Sequence, residues 1–307
     1  LAILIQFGFV SFKCGKVPST AEYSLNKEKV LLLLRYPRYL SLIEKKEGAE
    51  AKALIEELLK CGFDTASHLI LRVSTRVKEG LVLPNGSVLA LREKLFNLIH
   101  QQYIMRYPSP SKDDVNKVPV LTIHENELFF PPELNVQSLI KLDHGLESTA
   151  DDIGVYWRIN FDRFHQEMRD EIIVDAIKRR FDEHTAQLMD QLLELMYLRT
   201  DAWATQSNPV PFVELRDVIN KKSINPYLST YVDQYLKIIE ESSGFISKFE
   251  GSSGQIEVNL SKAIYELTCT AIDNIVDQRF GLKAARIFRL VRAKKYMEQD
   301  QIQQLAM

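Results

Sequence analysis

The chain has few of the features that catalysis, metal binding or export requires. Only three cysteines occur in 307 residues, Cys14, Cys61 and Cys269, far apart and without CxxC spacing. That argues against a disulfide framework and a zinc site, and it fits a reducing compartment. No apolar run approaches the roughly 20 residues of a membrane span, so no membrane partner is expected. The opening LAILIQFGFV is short, lacks a basic flank and a cleavage site, and begins without Met. It reads as a domain entered partway along a longer chain, not a signal peptide. Neither charge sign is in excess: 39 Lys and Arg face 41 Asp and Glu, a net charge of −2. Any binding to nucleic acid must therefore be local. There is no GxSxG, no HExxH, no Gly-rich phosphate loop and no metal-spaced Cys/His set. No catalytic residue, metal ligand or cofactor is expected.

Apolar residues, by contrast, are ample at 46%, enough for packed cores, and the length alone gives roughly two domains. The most informative stretch is Tyr156–Phe181. It opens as an extended alternation, with Trp157, Ile159 and Phe161 on one side and Arg158 and Asn160 on the other. Asp162 offers a cap to a long helix. That helix carries two apolar rows: Phe164, Met168, Ile172 and Ala176, then Ile173, Ile177 and Phe181. A helix covering one core needs one stripe. Two rows predict a helix serving its own core with one row and a neighbouring domain with the other, so that Ile177→Asp disrupts packing between domains. His165, among Asp162, Glu167 and Asp170, has the surroundings of a general base. No nucleophile motif accompanies it, and a hydrogen-bonded structural histidine explains it better.

One plan recurs along the chain. Residues 1–25 read as the end of a helix and a hairpin, Val10–Cys14 with Ala21–Leu25. A helix then runs through KVLLLLRYP and stops at Pro37. Residues 49–124 give three helices: Ala49–Lys60, a second capped by Asp64 or Thr65 and reaching Lys78, and Val88–Gln102 with Leu91, Leu95, Leu98 and Ile99 inward. Strands Tyr103–Tyr107 and Pro119–His124 follow as a hairpin. Three helices closing on a hairpin is the winged-helix plan. Glu125–Asp152 is linker-like, with Pro131-Pro132 and an acidic end. The plan returns with helices Thr185–Arg199, Phe212–Lys222 and one opened by Asn225-Pro226. FISKFE and QIEVNL then flank a Gly251–Gly254 turn. Ser261 caps a further helix to Gln278, Gly281 interrupts, and Leu282–Met297 is helical. The expected fold is mainly α with short β-hairpins, an α+β arrangement of tandem extended winged-helix domains.

The strongest charge signal is RFGLKAARIFRLVRAKK, Arg279–Lys295, with seven cations and no acid. On a continuous helix Arg279, Lys283, Arg286 and Lys294 cluster opposite Ala284, Ile287, Phe288 and Val291; Arg289, Arg292 and Lys295 complete the set. Such a face contacts phosphate or an acidic partner, or else is a solvated face neutralised by nearby carboxylates. The RYPRY cluster, with Arg35 and Arg38, either stacks bases and contacts phosphate or packs its aromatics at a helix exit. The helix Tyr227–Glu241 occupies the groove-reading position of DNA-binding winged helices. It carries Asp233, Lys237, Glu240 and Glu241, an acidic set that phosphate repels, so protein docking suits it better.

LLRYPRY (Leu33–Tyr39), GVYWRINFDRFHQEMRDEIIVDAIKRRFD (Gly154–Asp182) and RFGLKAARIFRLVRAKKYMEQDQIQQLAM (Arg279–Met307) together resemble the winged-helix subunit of eukaryotic RNA polymerase III. That is the large member of the initiation heterotrimer, similar to the alpha subunit of transcription factor IIE. The resemblance implies part of a winged helix 1 over residues 1–34, winged helix 2 over 35–130, a linker over 131–152, winged helix 3 over 153–260, and the start of a fourth over 261–307. It implies a nuclear, non-catalytic subunit on the clamp of the largest polymerase subunit. That subunit supports promoter opening and initiation of tRNA, 5S rRNA and other small RNAs. The implied partners are the other polymerase III subunits, initiation factor IIIB and single-stranded DNA. Family members often carry a longer Lys/Arg-rich insertion between the second and third domains; residues 131–152 are short and acidic, which weakens the case for a DNA contact there. Two other readings stay open on the residues alone: a free-standing winged-helix DNA-binding factor, and a helical protein-interaction scaffold.

Overall fold

A computed structural model describes residues 1–17, 19–110, 118–146, 150, 152–197, 199–222, 226–249 and 254–306. The chain divides into two compact units, Leu1–Phe164 and His165–Met307.

The first unit opens with α1 (Ala2–Gln6) and a hairpin, β1 (Val10–Cys14) with β2 (Ala21–Leu25). Helix α2 (Lys27–Leu32) passes through a tight turn at Leu33–Arg35 into α3 (Tyr36–Glu47). Pro37 does not end a helix, as expected from its ring, but sits in the first turn of α3, where its missing N–H has no intrahelical partner to lose. Next come α4 (Ala49–Cys61), β3 (Phe63–Thr65), α5 (Ala66–Lys78), α6 (Val88–His100) and β4 (Ile104–Arg106). The Thr65 hydroxyl accepts the His68 N–H as the cap of α5. Leu91, Leu95, Leu98 and Ile99 are all fully buried, as the spacing predicts.

The structure departs from the expected wing. β4 does not pair with residues 119–124. A minor ladder joins β5 (Ser109–Pro110) to β6 (Leu121–Thr122), and residues 111–117 lie outside the described set. The strand that completes the sheet is β7 (Tyr156–Ile159), which the sequence placed at the start of the third domain. β7 pairs with β3 on one side and β4 on the other. Trp157 and Ile159 point into the core. The 131–152 segment is not a bare linker either. It contains α7 (Val136–Asp143), whose Leu139 is buried and whose Asp143 accepts the Ser74 hydroxyl at 2.9 Å. A hydrophobic helix stripe buried this way is a packed element.

Helix α8 (Phe161–Arg180) follows β7 directly, one residue before Asp162, so Asn160 rather than Asp162 precedes it. In the second unit come α9 (Glu183–Tyr197), β8 (Val210–Pro211), α10 (Phe212–Lys222), α11 (Pro226–Ser243), β9 (Ile246–Phe249) and β10 (Gln255–Val258). The turn residues 250–253 lie outside the described set. The sheet order is β8-β10-β9, matching β3-β7-β4: the strand after the first helix pairs with the last strand, which pairs with the middle one. Ile173 and Ile177 of α8 belong to this unit's own core, with Leu188, Leu192, Leu215, Leu236 and Ile256. The two-row expectation therefore fails in part. The other row is not continuous, because Phe164 is buried while Ile172 is 55% exposed. α12 (Leu260–Phe280), α13 (Leu282–Lys294) and α14 (Gln299–Ala306) complete the chain. Asn259, not Ser261, caps α12 by accepting the Lys262 N–H at 2.9 Å.

A junction repeats three times. Gly8, Gln102 and Gly244 each take positive φ, at 70°, 65° and 62°. Each ends a helix and precedes an aromatic, Phe9, Tyr103 or Phe245. The carbonyls of those aromatics accept N–H bonds from Asn26, Asn160 and Asn259, the residues that leave the hairpin or sheet. Asn26 and Asn160 add side-chain bonds to the Gly8 and Gln102 carbonyls, both at 2.9 Å. Asn160→Ala is expected to lower unfolding free energy by about 1 kcal/mol, the worth of one such bond. Gln102→Gly is expected to raise it by about 1 kcal/mol, by relieving a left-handed non-glycine residue. Denaturant unfolding of both variants checks the opposite signs.

Candidate functional site

The basic segment is not one helix. Gly281 adopts φ 82°, ψ 170°, and closes α12 before α13 begins. Glycine is the residue suited to that conformation. Arg279 thus lies in the last turn of α12, and Lys283, Arg286, Arg289, Arg292 and Lys294 lie on α13. Lys295 follows at φ 63° as the C-cap of α13.

The cations separate into two groups. Arg292 makes a fork to Asp273 of α12, with bonds of 2.8 and 3.1 Å, and also donates to the Cys269 carbonyl at 3.3 Å. Arg289 Nε lies 3.6 Å from the same carboxylate. Hydrogen bonding to Asp273 pushes the Arg292 pKa up. These two arginines tie α13 to α12, and Ala285 one turn before Arg289 is fully buried. Arg279, Lys283, Lys294 and Lys295 are exposed and have no ion-pair partner among the described residues, while Arg286 reaches only the Leu305 carbonyl, at 3.5 Å. Around them Phe280 and Leu282 are 72% and 74% exposed, and Tyr296 is also open to solvent. Cations interleaved with exposed aromatic and apolar groups suit a phosphate-bearing or acidic partner.

The RYPRY cluster resolves differently. Tyr39 is fully buried, with ring centroids 5.0 Å from Phe164 and 5.8 Å from Phe161. Tyr36 stacks on Phe161 at 6.0 Å. Burial raises the pKa of both tyrosines. The aromatics are packing groups and offer no face to bases. Arg35 and Arg38 remain at the surface, and Arg35 hydrogen-bonds Tyr39.

His165 lines a cavity of about 250 Å³ with Gln166, Arg169, Trp203, Leu260 and Ile264. Its ring lies 5.8 Å from that of Trp203. Arg169 is held by Asp170 at 2.7 Å and by the Ala202 carbonyl. Among the described residues no cluster of His, Cys, Asp or Glu could hold a metal ion, and no helix is long and apolar enough to cross a membrane.

Neither helix in the groove-reading position presents a free basic face. On α6, Arg92 donates to the Leu134 carbonyl and lies over Phe96, while Lys94 meets Glu47. On α11, Asp233 pairs with Lys248 at 2.7 Å, and Lys237 lies 3.7 Å from Glu241. Its outward face instead shows Tyr227, Tyr231 and Ile238. That composition suits protein docking. The exposed aromatics could have been inferred from the heptad spacing of Leu228, Val232, Leu236 and Ile239, whose inward side leaves them outside.

Repeated strand order, recurring junctions and groove-position helices without free basic faces define a tandem winged-helix protein. Two family models match it: "RNA polymerase III subunit RPC82" over residues 125–267 and "POLR3C, C-terminal winged-helix domain" over residues 272–307. Over those residues the chain matches the winged-helix subunit family of RNA polymerase III. It is similar to DNA-directed RNA polymerase III subunit RPC3 of Mus musculus, 28% identical over 340 residues, and of Homo sapiens, 28% identical over 341 residues. Each of these alignments takes in all of the chain and 62% of the relative, so the chain spans less than two thirds of their length. The Dictyostelium discoideum subunit is 23% identical over 172 residues, 51% of the chain and 25% of that relative.

Asp273→Asn is expected to loosen α13. Amide hydrogen exchange should quicken across Leu282–Lys294 and stay unchanged in α9 and α10, because the ion pairs that fix α13 converge on this one carboxylate.

Proposed function

We propose that the chain acts within RNA polymerase III as a non-catalytic subunit supporting promoter opening and initiation of tRNA, 5S rRNA and other small RNAs. Similarity along all of this chain, and 62% of each relative, to subunits named RPC3 supports this reading. The outward Tyr227, Tyr231 and Ile238 of α11 agree with a subunit that docks on protein. The partners in this reading are the other heterotrimer members, the clamp of the largest subunit and initiation factor IIIB, and the setting is nuclear.

Single-stranded DNA is the nucleic-acid partner we assign to the exposed cations of α12 and α13. Arg279, Lys283, Arg286, Lys294 and Lys295 serve as phosphate contacts, with Arg35 and Arg38 as secondary candidates. Arg289 and Arg292 keep a structural task through Asp273. Lys283→Gln and Arg286→Gln should each flatten the slope of log affinity against log salt by about 0.7 for a single strand. Arg292→Gln should change that slope less while loosening α13. Anisotropy titrations with an oligothymidine at several salt concentrations separate these outcomes. Equal slopes in all variants would turn the basic face into a protein-docking surface.

The assembly reading has its own test. Tagged protein purified from nuclear extract should bring down other polymerase III subunits by mass spectrometry. Recovery without any of them would overturn it and revive a free-standing DNA-binding factor.

A further inference from the structure

In a winged helix that grips duplex DNA, the third helix enters the major groove and the second crosses the phosphate backbone. In the first unit these are α6 and α5. Both are covered by the segment that joins β4 to β7. α4 and α7 each pack against both α5 and α6. α4 supplies core residues, Leu54, Ile55 and Leu58 among them, whereas the buried residue of α7 is Leu139. The chain entering α7 buries Leu134, and its carbonyl accepts from Arg92 Nε of α6 at 3.1 Å.

The polar contacts along α5 are of one kind. Asp152, which is buried, accepts the Ser67 N–H at 2.9 Å, in the first turn of α5. Asp143 accepts the Ser74 hydroxyl at 2.9 Å and pairs with the Lys78 ammonium at 2.8 Å. The Asp143 carbonyl accepts from the same ammonium at 3.2 Å. Ser67, Ser74 and Lys78 fall on one stripe of α5 by helical spacing. A first-turn N–H, a hydroxyl and an ammonium are groups with which a helix holds backbone phosphates. Here two carboxylates of the covering segment take up all three, and the Leu134 carbonyl takes up Arg92. The other arginines of α5 are engaged elsewhere, Arg72 by Asp64 and Arg76 by Glu56 and Glu57.

We propose that residues 134–143, with Asp152, form an autoinhibitory strap that occupies the duplex-docking face of α5 and α6, its carboxylates standing where backbone phosphates would. The strap is light. α7 has eight residues, too few to hold a helix by itself in water, and Leu139 is its buried anchor. An element held by so little buried apolar surface opens at low cost. Opening frees Lys78, Arg92, the Ser74 hydroxyl and the Ser67 N–H together, on the two helices that duplex DNA meets. The closed strap also accounts for the missing basic face of α6, because Arg92 is turned onto the strap's own carbonyl.

The test is binding of a short labelled DNA duplex of mixed sequence to the 307-residue chain, read by anisotropy. Leu139→Asp should release the strap, seen as faster amide exchange at residues 136–143 with protection kept in α4 and α6. It should tighten duplex binding at least about tenfold, as new charge-assisted bonds imply. The salt slope should steepen by about 0.9 for each of the two freed cations. The added aspartate repels phosphate, so the change in charge cannot itself produce the gain. Lys78→Gln with Arg92→Gln should abolish the gain in the Leu139→Asp chain and leave the parent's binding nearly unchanged. A released strap without tighter duplex binding overturns the proposal, and so does a gain that survives the loss of Lys78 and Arg92. An equal gain for oligothymidine overturns the assignment to duplex. If α7 stays protected in Leu139→Asp, a Gly-Ser linker in place of residues 134–143 removes the strap outright. Unchanged duplex affinity in that variant is equally fatal to the proposal.

Discussion

Each completed wing in this chain is closed by the same small set of bonds. An asparagine leaves the last strand and donates its N–H to the carbonyl of the aromatic that entered the hairpin or sheet: Asn26 to Phe9, Asn160 to Tyr103 and Asn259 to Phe245. The residue before the aromatic must take positive φ to end its helix. Buried backbone groups need partners, and here one residue ties both ends of the strand pair while opening the next helix. Helices α2, α8 and α12 begin directly after these asparagines. The start of each following helix is thus tied to a few hydrogen bonds at a strand end. Glycine relieves the turn at two of the three positions, and Gln102 tolerates it at the third.

A winged helix that binds DNA through its third helix leaves that helix open and basic. Here α6 spends its cations on the Leu134 carbonyl, the Phe96 ring and Glu47. α11 shows tyrosines and internally paired charges. The free positive charge has moved to the far end of the chain. There Asp273 takes up two arginines and leaves the remaining cations beside exposed Phe280, Leu282 and Tyr296.

Much of this was legible from residue spacing. The inward leucines of α6, the Thr65 cap, the β1–β2 hairpin and the extent of α10 all follow from period, capping and turn chemistry. The errors share one cause. The strand Tyr156–Ile159 alternates like any strand, and nothing local says that its partners lie in residues 63–65 and 104–106. Likewise the break at Gly281 is legible in the sequence, but a helical wheel cannot reveal that Asp273 will face Arg289 and Arg292.

By itself, the sequence determined most of the helices and the hairpin strands β1, β2, β9 and β10, because these depend on neighbours three or four residues away in helices and two in strands. It also showed a near-balanced charge, so that any nucleic-acid contact had to be local. Tertiary structure alone decided which strand closes which sheet, which cations stay free and which aromatics are buried. Those outcomes depend on groups distant in sequence competing for the same partner: an open sheet edge for a strand, a single carboxylate for two arginines, and a core for Tyr39.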